Sequence, residues 1–375
     1  MKYTWMEIDL DVIGRNYEKI KRNLSHDTDI IAVVKADAYG LGAVPIAKKL
    51  ERTGCRHFAV TFLEEAVELR KAGIKAEILV MMPVESSEAV SAADYGLTVT
   101  MADYIHAKKI SDILVRKKIF LKAHIKLDCG LSRMGIVVND RFDEAVKEAM
   151  KFIALPGFRV KGIYTHITAA GLSDEGRKLD KSELDIFKKF VGVLNKRGIC
   201  LQQHCLCSEP LMNYQEYQGD FIRIGSLLYG VNPARYEAYG VENCLSMKSK
   251  IIQVKEIPKG ASVSYGALYA ATRKTRIAIV PAGFADGLRR ALSNIGEMIV
   301  HGRKVPIIGK ICCDHTILDV TDIEDVKEGD IVTILGKEGE TEQYAGEFAG
   351  LCHASEPEIT SIFASRVPRI YLNNE

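Results

Sequence analysis

The sequence predicts an α/β protein in which an N-terminal (β/α)8 barrel is followed by a smaller, mainly-β C-terminal domain. Up to about residue 230, short β-branched segments alternate with amphipathic segments of helical length, which is typical of βα units around a parallel sheet. Beyond about residue 240, strand-like segments follow one another between Gly, Pro and Asp, as in antiparallel β structure. The 375 residues also exceed the roughly 250–300 at which a single core stops growing, so two domains are expected.

Eight segments of the N-terminal part are predicted strands, because each is a short apolar run bounded by turn residues. They are 30–36, 57–62, 76–82, 97–101, 120–128, 160–166, 201–208 and 221–230. Intervening segments such as 44–54 and 63–73 have apolar residues three and four positions apart and end at Gly, as helices do. This pattern indicates a closed barrel of the TIM type, with an open doubly wound sheet as the alternative.

The second domain is predicted from the strand-like segments at 251–257, 275–281, 297–310, 315–323 and 330–336. We expect residues 10–238 to form the barrel and residues 239–375 to form the mainly-β domain. The strand-like stretch within residues 1–9 is a candidate additional strand of the second domain.

Composition and charge exclude several classes of protein. The net charge of +2 indicates neither nucleic acid nor an anionic membrane as a partner, and no apolar run reaches the ~20 residues of a membrane span. The N-terminus carries Asp and Glu within its apolar stretch, unlike a secretory signal, which predicts a cytoplasmic protein. The nine cysteines are scattered without the spacing of a zinc site, which predicts free thiols and no metal site.

Reactive side chains fall where a barrel places its active site, at the carboxyl ends of the strands and in the loops after them. Lys35 ends the first predicted strand, His166 the sixth and Ser208 the seventh; Arg223 lies in the eighth, and Arg133 follows the fifth. The lysine in its apolar strand has two interpretations. Burial lowers the pKa of its amine for Schiff-base chemistry, or its stem packs while the ammonium group reaches water.

A phosphate site is predicted beside these residues. Gly225 and Ser226 lie in the eighth predicted segment and are expected to present backbone N–H groups at its carboxyl end, where barrels often bind phosphate; Ser208 and Tyr39 offer hydroxyls. Together with an apolar-strand lysine and a nearby arginine, these features indicate a phosphorylated aldehyde cofactor, namely pyridoxal phosphate.

Eight sequence blocks resemble those of the alanine racemase family, whose members are fold-type III pyridoxal-phosphate enzymes. The blocks are AVVKADAYG, KLDCGLSRMGI, YTHI, FIRIGSLLYG, VSYGALY, GFADGLRR, PIIGKICCD and SRVPRI, in the family's order and over essentially the whole chain. The resemblance favours the barrel over the open sheet. It also implies a head-to-tail homodimer with shared active sites.

The resemblance also implies roles for four residues in proton transfer. Lys35 holds the cofactor and is the base for the D-enantiomer, and Tyr265 is the base for the L-enantiomer. His166 lowers the proton affinity of that tyrosine. Arg223 faces the pyridine nitrogen and, as a pure donor, keeps this nitrogen unprotonated, which disfavours transamination.

The remaining implied roles concern binding. Tyr39, Ser208 and the backbone of Gly225 and Ser226 hold the phosphate. The resemblance places Arg133 at the cofactor's phenolic oxygen and the substrate carboxylate, assisted by the backbone N–H of Cys313. Lys126 matches a lysine that is often carbamylated in the family, and its carbamate would orient Arg133; the alternative is a plain exposed lysine on a strand.

Five positions depart from the family pattern. Cys313 replaces a methionine, Phe284 a tyrosine and Lys310 an arginine of the substrate channel, and Cys207 an asparagine beside the phosphate serine. Ser365 stands where a tyrosine normally closes the pocket near the phosphate. The proton-transfer residues are retained while the residues of the pocket wall differ. The sequence therefore indicates the type of reaction more firmly than the identity of the substrate.

The expected function is therefore interconversion of L- and D-alanine, which supplies D-alanine for peptidoglycan. A racemase of serine or of broader specificity is the first alternative. A fold-type III decarboxylase is another, against which the VSYG tyrosine and the short second domain argue. A non-catalytic cofactor-binding barrel is usually a single domain, so the additional ~130 residues argue against it.

Overall fold

The computed structural model describes residues 3–373, which form two compact units. The barrel unit comprises Tyr17–Ala38 and Leu50–Leu228, and the second unit comprises the chain up to Asn16, Tyr39–Lys49 and the chain from Tyr229 onward. The segment 39–49 thus joins the second unit, although it lies within the predicted barrel domain. It is held there by Arg369, whose guanidinium donates to the carbonyl of Gly40 at 3.0 and 3.1 Å.

The strands are numbered in chain order. They are β1 Thr4–Asp9, β2 Asp29–Val33, β3 His57–Val60, β4 Glu77–Val80, β5 Thr98–Met101, β6 Leu121–Asp128, β7 Ile136–Val137, β8 Phe158–Tyr164, β9 Gln202–His204, β10 Phe221–Ile224, β11 Leu245–Lys250, β12 Gln253–Ile257, β13 Thr275–Val280, β14 Glu297–Val300, β15 Arg303–Pro306, β16 Thr316–Asp319, β17 Ile331–Glu338, β18 Thr341–Gln343 and β19 Arg369–Leu372.

The helices are numbered in the same way. They are α1 Leu10–Arg22, α2 Lys35–Gly40, α3 Ala43–Thr53, α4 Leu63–Lys71, α5 Ala89–Asp94, α6 Tyr104–Lys117, α7 Phe142–Ile153, α8 Asp174–Lys196, α9 Pro210–Asn213, α10 Ser226–Tyr229, α11 Ala345–Cys352 and α12 Glu356–Ser361. Short 3₁₀ helices occupy Ser86–Glu88, Gln215–Tyr217, Pro233–Tyr239, Tyr265–Ala267, Phe284–Asp286 and Arg290–Leu292. Within residues 3–373, no helix is long and apolar enough to cross a membrane.

The barrel unit is an eight-stranded parallel barrel, which confirms the predicted fold class. Its strands follow the order β10-β2-β3-β4-β5-β6-β8-β9, and every neighbouring pair in this path is parallel. A bridge between Cys207 and Arg223 closes the ring beyond the end of β9, where the N–H of Arg223 donates to Leu206. The alternative of an open sheet is wrong.

Several strands end earlier than the sequence predicts. The first ends at Val33 instead of residue 36, so Lys35 lies beyond the strand; His166 lies two residues beyond β8, and Ser208 lies beyond β9. The eighth ends at Ile224, before helix α10. The prediction fails because the apolar run continues into loops that are themselves buried, as Val34 is. Hydrophobicity alone does not separate such a loop from a strand.

The second unit is built on a sheet in the order β15-β14-β17-β11-β1-β19, with β18 beside β17, and on a smaller sheet β12-β13-β16. Strand β1 lies in the larger sheet because its residues alternate between buried and partly exposed, with Met6 and Ile8 fully buried. It pairs antiparallel with β11 but parallel with β19. The sheet is therefore mixed, which corrects the expectation of purely antiparallel structure.

Candidate active site

Lys35 opens a left-handed helical turn at the carboxyl end of β2. The backbone φ angles of Ala36, Asp37, Ala38 and Tyr39 are 51°, 53°, 52° and 57°, so α2 has the hand that L-amino acids disfavour. Such a conformation costs about 1–2 kcal/mol per non-glycine residue and is rare over several successive residues. Backbone strain of this kind is concentrated at functional sites, where the surrounding structure maintains it.

Glu65 holds the start of this turn. One carboxylate oxygen accepts the N–H of Ala36 at 2.5 Å, and the other accepts the N–H groups of Thr61 and Phe62 at 2.7 and 2.9 Å. The carboxylate thus ties the loop after β2 to the loop after β3. Such charge-assisted hydrogen bonds are stronger than neutral ones, which suits a strained segment.

The amine of Lys35 is partly withdrawn from water. Burial lowers its pKa, and the positive charge of Arg133 lowers it further. A larger neutral fraction makes the amine a better nucleophile toward a carbonyl carbon. Of the two interpretations of this lysine, the structure supports the one in which burial prepares the amine.

Arg133 lies in a loop that is shaped by Asp128, the last residue of β6. The carboxylate of Asp128 accepts the backbone N–H groups of Gly130, Ser132 and Arg133 at 3.1, 3.0 and 2.9 Å. Within the described part of the chain, the guanidinium of Arg133 forms no ion pair with a carboxylate. The exposed Arg133 therefore offers a positive charge and donors for an anionic ligand.

Lys126 is buried on β6, with only 2% of its surface exposed. Its ammonium donates to the carbonyl of Leu127 at 2.7 Å and lies 5.2 Å from the ring centroid of Tyr164. Burial, followed by the nearby charge of Arg223, lowers its pKa to about 7. The alternative of a plain exposed lysine is wrong.

Arg223 is almost completely buried inside the barrel. Its Nη1 donates to Nδ1 and the carbonyl of His204 at 2.7 and 2.9 Å. Its Nη2 donates to the carbonyl of Thr165 at 2.8 Å, to Nδ1 of His166 at 3.3 Å and to the carbonyl of Cys205 at 3.5 Å. Among the described residues, Nε is therefore the donor of this guanidinium that remains for a ligand.

His166 is held neutral by its surroundings. Burial lowers its pKa to about 2, with a further contribution from the charge of Arg223. Because Arg223 can only donate, Nδ1 of His166 is the acceptor, and the imidazole proton lies on Nε2. His166 therefore presents an N–H group, which lowers the proton affinity of a phenol oxygen by donating a hydrogen bond rather than by taking its proton.

Three of the four residues of the predicted phosphate site, Ser208, Gly225 and Ser226, lie in the barrel unit. The N–H of Gly225 donates to the hydroxyl of buried Ser208 at 3.0 Å, and Ser226 follows immediately at the start of α10. Tyr39, the tyrosine of the left-handed turn, belongs to the second unit.

In the second unit, Tyr265 is carried on a strained turn and is 69% exposed. Ser264 before it has a φ of 62°, and its hydroxyl donates to the carbonyl of Lys310 at 2.5 Å. This contact joins the loop of Tyr265 to the loop of Cys313.

The loops of Phe284 and Cys313 pack directly on one another. The carbonyls of Cys312 and Cys313 accept the N–H groups of Phe284 and Ala285, both at 3.0 Å. Gly283 permits this approach, since a Cβ there would lie 2.3 Å from the carbonyl oxygen of Cys313.

Arg366, beside Ser365, connects these two loops a second time. Its guanidinium donates to both carboxylate oxygens of Asp286 at 2.7 and 2.9 Å and to Asp314 at 2.7 Å. The structure thus brings Tyr265, Phe284, Lys310, Cys313 and Ser365 to one set of connected loops.

Three buried polar residues escaped the sequence analysis. His204 hydrogen bonds to His124 at 2.9 Å between Nε2 and Nδ1, and the ring of Tyr164 stacks on His204 with centroids 4.6 Å apart. All three lie in strands that the sequence predicts. A histidine in an otherwise apolar strand was the available signal, although it did not reveal that His204 contacts Arg223.

Comparisons with known proteins agree over the full length of the chain. The alanine racemase N-terminal domain family matches residues 8–233, and the alanine racemase C-terminal domain family matches residues 244–371. The alanine racemase of Halothermothrix orenii is 36% identical over 373 residues, which cover 99% of this chain and 97% of that protein.

Two solved structures show the same similarity in three dimensions. An alanine racemase from Bacillus anthracis with bound L-Ala-P is 30% identical, with a TM-score of 0.88 over 100% of this chain and 96% of that one. An alanine racemase from Bartonella henselae with covalently bound pyridoxal phosphate is 26% identical, with a TM-score of 0.88 over 99% of this chain and 100% of that one.

The two-part fold, the lysine at the barrel end and these full-length relatives define an isomerase that racemises amino acids. The chain belongs to the alanine racemase family, which confirms the predicted resemblance. The same relatives support a racemase over a decarboxylase.

The left-handed conformation of the turn can be tested by substitutions at the exposed Ala36. Ala36→Gly should not destabilise the protein and can relieve up to about 1–2 kcal/mol, because glycine has no Cβ penalty at positive φ, whereas Ala36→Val should destabilise it, because β-branched side chains are disfavoured further there. Urea unfolding of both variants measures this. Ala93→Gly in right-handed α5 is the control and should cost up to about 1 kcal/mol. An equal cost for glycine at both positions would contradict the left-handed turn.

Proposed function

We propose that this chain interconverts L- and D-alanine with pyridoxal phosphate attached to Lys35, and that Lys35 and Tyr265 exchange the α-proton from opposite faces. The observation that carries the proposal is the amine of Lys35, which has a lowered pKa at the carboxyl end of a barrel strand beside Arg133. The alanine racemases with bound L-Ala-P and with covalently bound pyridoxal phosphate support the substrate class and the cofactor.

The residues of the barrel end fit this cofactor. Ser208, Gly225 and Ser226 offer a hydroxyl and backbone N–H groups for its phosphate, with Tyr39 as a further hydroxyl. The remaining Nε donor of Arg223 suits an unprotonated ring nitrogen. When bound, pyridoxal phosphate withdraws electrons from the substrate's α-carbon and so makes its proton removable.

The two proposed bases differ in how they become effective. Burial and Arg133 lower the pKa of Lys35, so a larger fraction of its amine is neutral and able to accept a proton. Tyr265 requires a donor that stabilises its phenolate, and the Nε2–H group of neutral His166 supplies one. Arg133 and the backbone N–H of Cys313 would bind the substrate carboxylate.

We further propose a head-to-tail homodimer in which Tyr265 and Cys313 of one subunit serve the barrel of the other. The side chains of Tyr265, Leu268 and Ile295 are 69%, 58% and 52% exposed. These residues of the second unit therefore offer apolar surface for a partner. A cytoplasmic role in supplying D-alanine for peptidoglycan accords with the family and with nine free cysteines.

Racemisation and its two bases are tested together. Borohydride reduction of the native protein should place the pyridoxyl group on the Lys35 peptide. Tyr265→Phe should retain the cofactor and slow racemisation of L-alanine by about 10²–10⁴-fold, because a general base is lost. Tyr269→Phe, four residues further along, is the matched control and should remain active. Chiral chromatography of the product measures the rates.

Subunit mixing tests the shared active site. Tyr265→Phe combined with inactive Lys35→Ala forms heterodimers with one complete and one doubly defective site, so activity should return. No recovery after verified subunit exchange would contradict the shared site, and labelling of a different lysine would contradict the mechanism.

Carbamylation of Lys126 follows from its burial. With a pKa of about 7, most of this amine is neutral at pH 8, whereas below about 1% of an ordinary lysine is neutral there. We expect a carbamate ¹³C signal in protein equilibrated with ¹³C-bicarbonate, rising between pH 6 and 8 as the amine loses its proton. Lys126→Ala should abolish the signal, whereas Lys122→Ala on the same strand should retain it. A signal that persists in Lys126→Ala would refute this site.

Serine is a second candidate substrate, because Ser365 is exposed where the family usually has a tyrosine. Extra room is worth only ~1–3 kcal/mol per methylene, so alanine should still react. Ser365→Tyr should lower kcat/KM for L-serine relative to L-alanine. Ser365→Ala keeps the room and removes the hydroxyl, so a smaller decrease of about 2- to 10-fold would isolate the hydrogen bond. An unchanged ratio in both variants would show that neighbouring side chains refill the space.

A further inference from the structure

Arg223 is the first member of a hydrogen-bonded chain that leads away from the candidate active site. Its Nη1 donates to Nδ1 of His204 at 2.7 Å, and Nε2 of His204 lies 2.9 Å from Nδ1 of His124. The three residues lie on β10, β9 and β6, and His204 and His124 are 0% and 6% exposed. His204 and His124 have no role in the reaction proposed above.

The donors and acceptors of this chain have one consistent assignment. A guanidinium has no acceptor, so Nδ1 of His204 must be unprotonated and Nε2 must carry the proton. Nε2 of His204 then donates to Nδ1 of His124, whose proton is therefore on Nε2. Both rings are neutral, because burial and then the charge of Arg223 lower the pKa of His204, and burial lowers that of His124 to about 4.

Gly162 on β8 provides the space for the last member of the chain. It lies opposite His124 in the register of β6 and β8. A Cβ at this position would lie 2.7 Å from Cε1 and Nε2 of the His124 ring and 2.8 Å from Nδ1. The backbone of Gly162 does not have a positive φ, so close approach of the imidazole, and not backbone conformation, accounts for glycine here.

The far side of His124 faces the amino-terminal end of the barrel. His124 lines a cavity of about 380 Å³ there, together with His57, Thr98 and Gln202. Among residues 3–373, no side chain or carbonyl accepts a hydrogen bond from Nε2 of His124. The cavity has room for a water molecule that would accept one from this N–H group.

We propose that His204 and His124 are positioning residues, which hold Arg223 so that its Nε edge, and not its Nη groups, is presented to the ligand of the barrel end. The inference rests on the proposed function, in which that ligand is the ring nitrogen of pyridoxal phosphate. The two histidines act through Arg223, and Gly162 acts by admitting the ring of His124.

The chemical consequence is control of a side reaction. If Arg223 shifts, its hydrogen bond no longer keeps the ring nitrogen unprotonated, and transamination competes better with racemisation. In that reaction one alanine and one pyridoxal phosphate become one pyruvate and one pyridoxamine phosphate, since the amino group and the carbonyl oxygen exchange places. Pyruvate formed per alanine racemised therefore reports on the position of Arg223.

The test compares variants of His124, which is two residues removed from the ligand. His124→Leu leaves the donor of His204 without an acceptor, and we expect at least about a tenfold rise in pyruvate per D-alanine formed. His124→Asn offers a side-chain oxygen near the position of Nδ1 and should restore most of the original ratio. Gly162→Ala should reproduce the Leu phenotype by displacing the ring.

Ser111→Ala is the matched control, because it removes a different buried hydrogen bond, to the carbonyl of Pro156, in the same unit. It should lower the melting temperature without changing the pyruvate ratio. The absorption spectrum and dissociation constant of bound pyridoxal phosphate provide readouts independent of turnover, and we expect both to change in His124→Leu but not in Ser111→Ala.

The outcomes separate this inference from the proposed function. A native protein that neither racemises alanine nor carries the cofactor on Lys35 would refute the proposed function. A native protein that does both, together with an unchanged pyruvate ratio and cofactor spectrum in folded His124→Leu and His124→Asn, would refute the positioning role alone.

Discussion

Burial of a permanently charged guanidinium inside the barrel is the constraint on which the candidate site depends. Arg223 is 3% exposed, and an arginine cannot escape the cost of burial by losing its proton. The cost is offset by carbonyl oxygens of Thr165, His204 and Cys205 and by two imidazole nitrogens. These acceptors lie at or just beyond the ends of β8 and β9, so they tie both strand ends to Arg223 on β10.

The same charge influences the titratable groups around it. It contributes to lowering the pKa values of His166, His204 and Lys126, although burial is the larger cause for each. Two histidines and a lysine are thus driven toward their neutral forms within one barrel. A neutral imidazole can be both donor and acceptor, so the direction of each hydrogen bond follows from the single donor-only group.

Backbone strain provides a second, local constraint. The left-handed turn after Lys35 and the positive φ of Ser264 before Tyr265 place unfavourable conformations beside the two proposed bases. Each is maintained by a side-chain hydrogen bond, from Glu65 in the first case and from Ser264 itself in the second. This arrangement fits the general association of strain with functional positions, where rigid placement of a side chain outweighs its local cost.

The order of elements, the change of architecture near residue 240 and the candidate residues Lys35, Tyr265, His166 and Arg223 were all accessible from the sequence. They depend on apolar periodicity and on short motifs, which are properties of neighbouring residues. Strand ends were predicted less well, because buried loops such as the one at Val34 remain as apolar as the strands that precede them.

Tertiary structure alone decided the left-handed turn, the burial of Lys126 and the chain from Arg223 to His124. The turn has no glycine until Gly40, so nothing in its local sequence indicates a positive φ. His124 and His204 are separated by 80 positions, and their protonation depends on a distance that only the closed barrel creates. Sequence determined which groups the site contains, whereas folding determined their charge, because pKa values respond to burial and to neighbours that are remote along the chain.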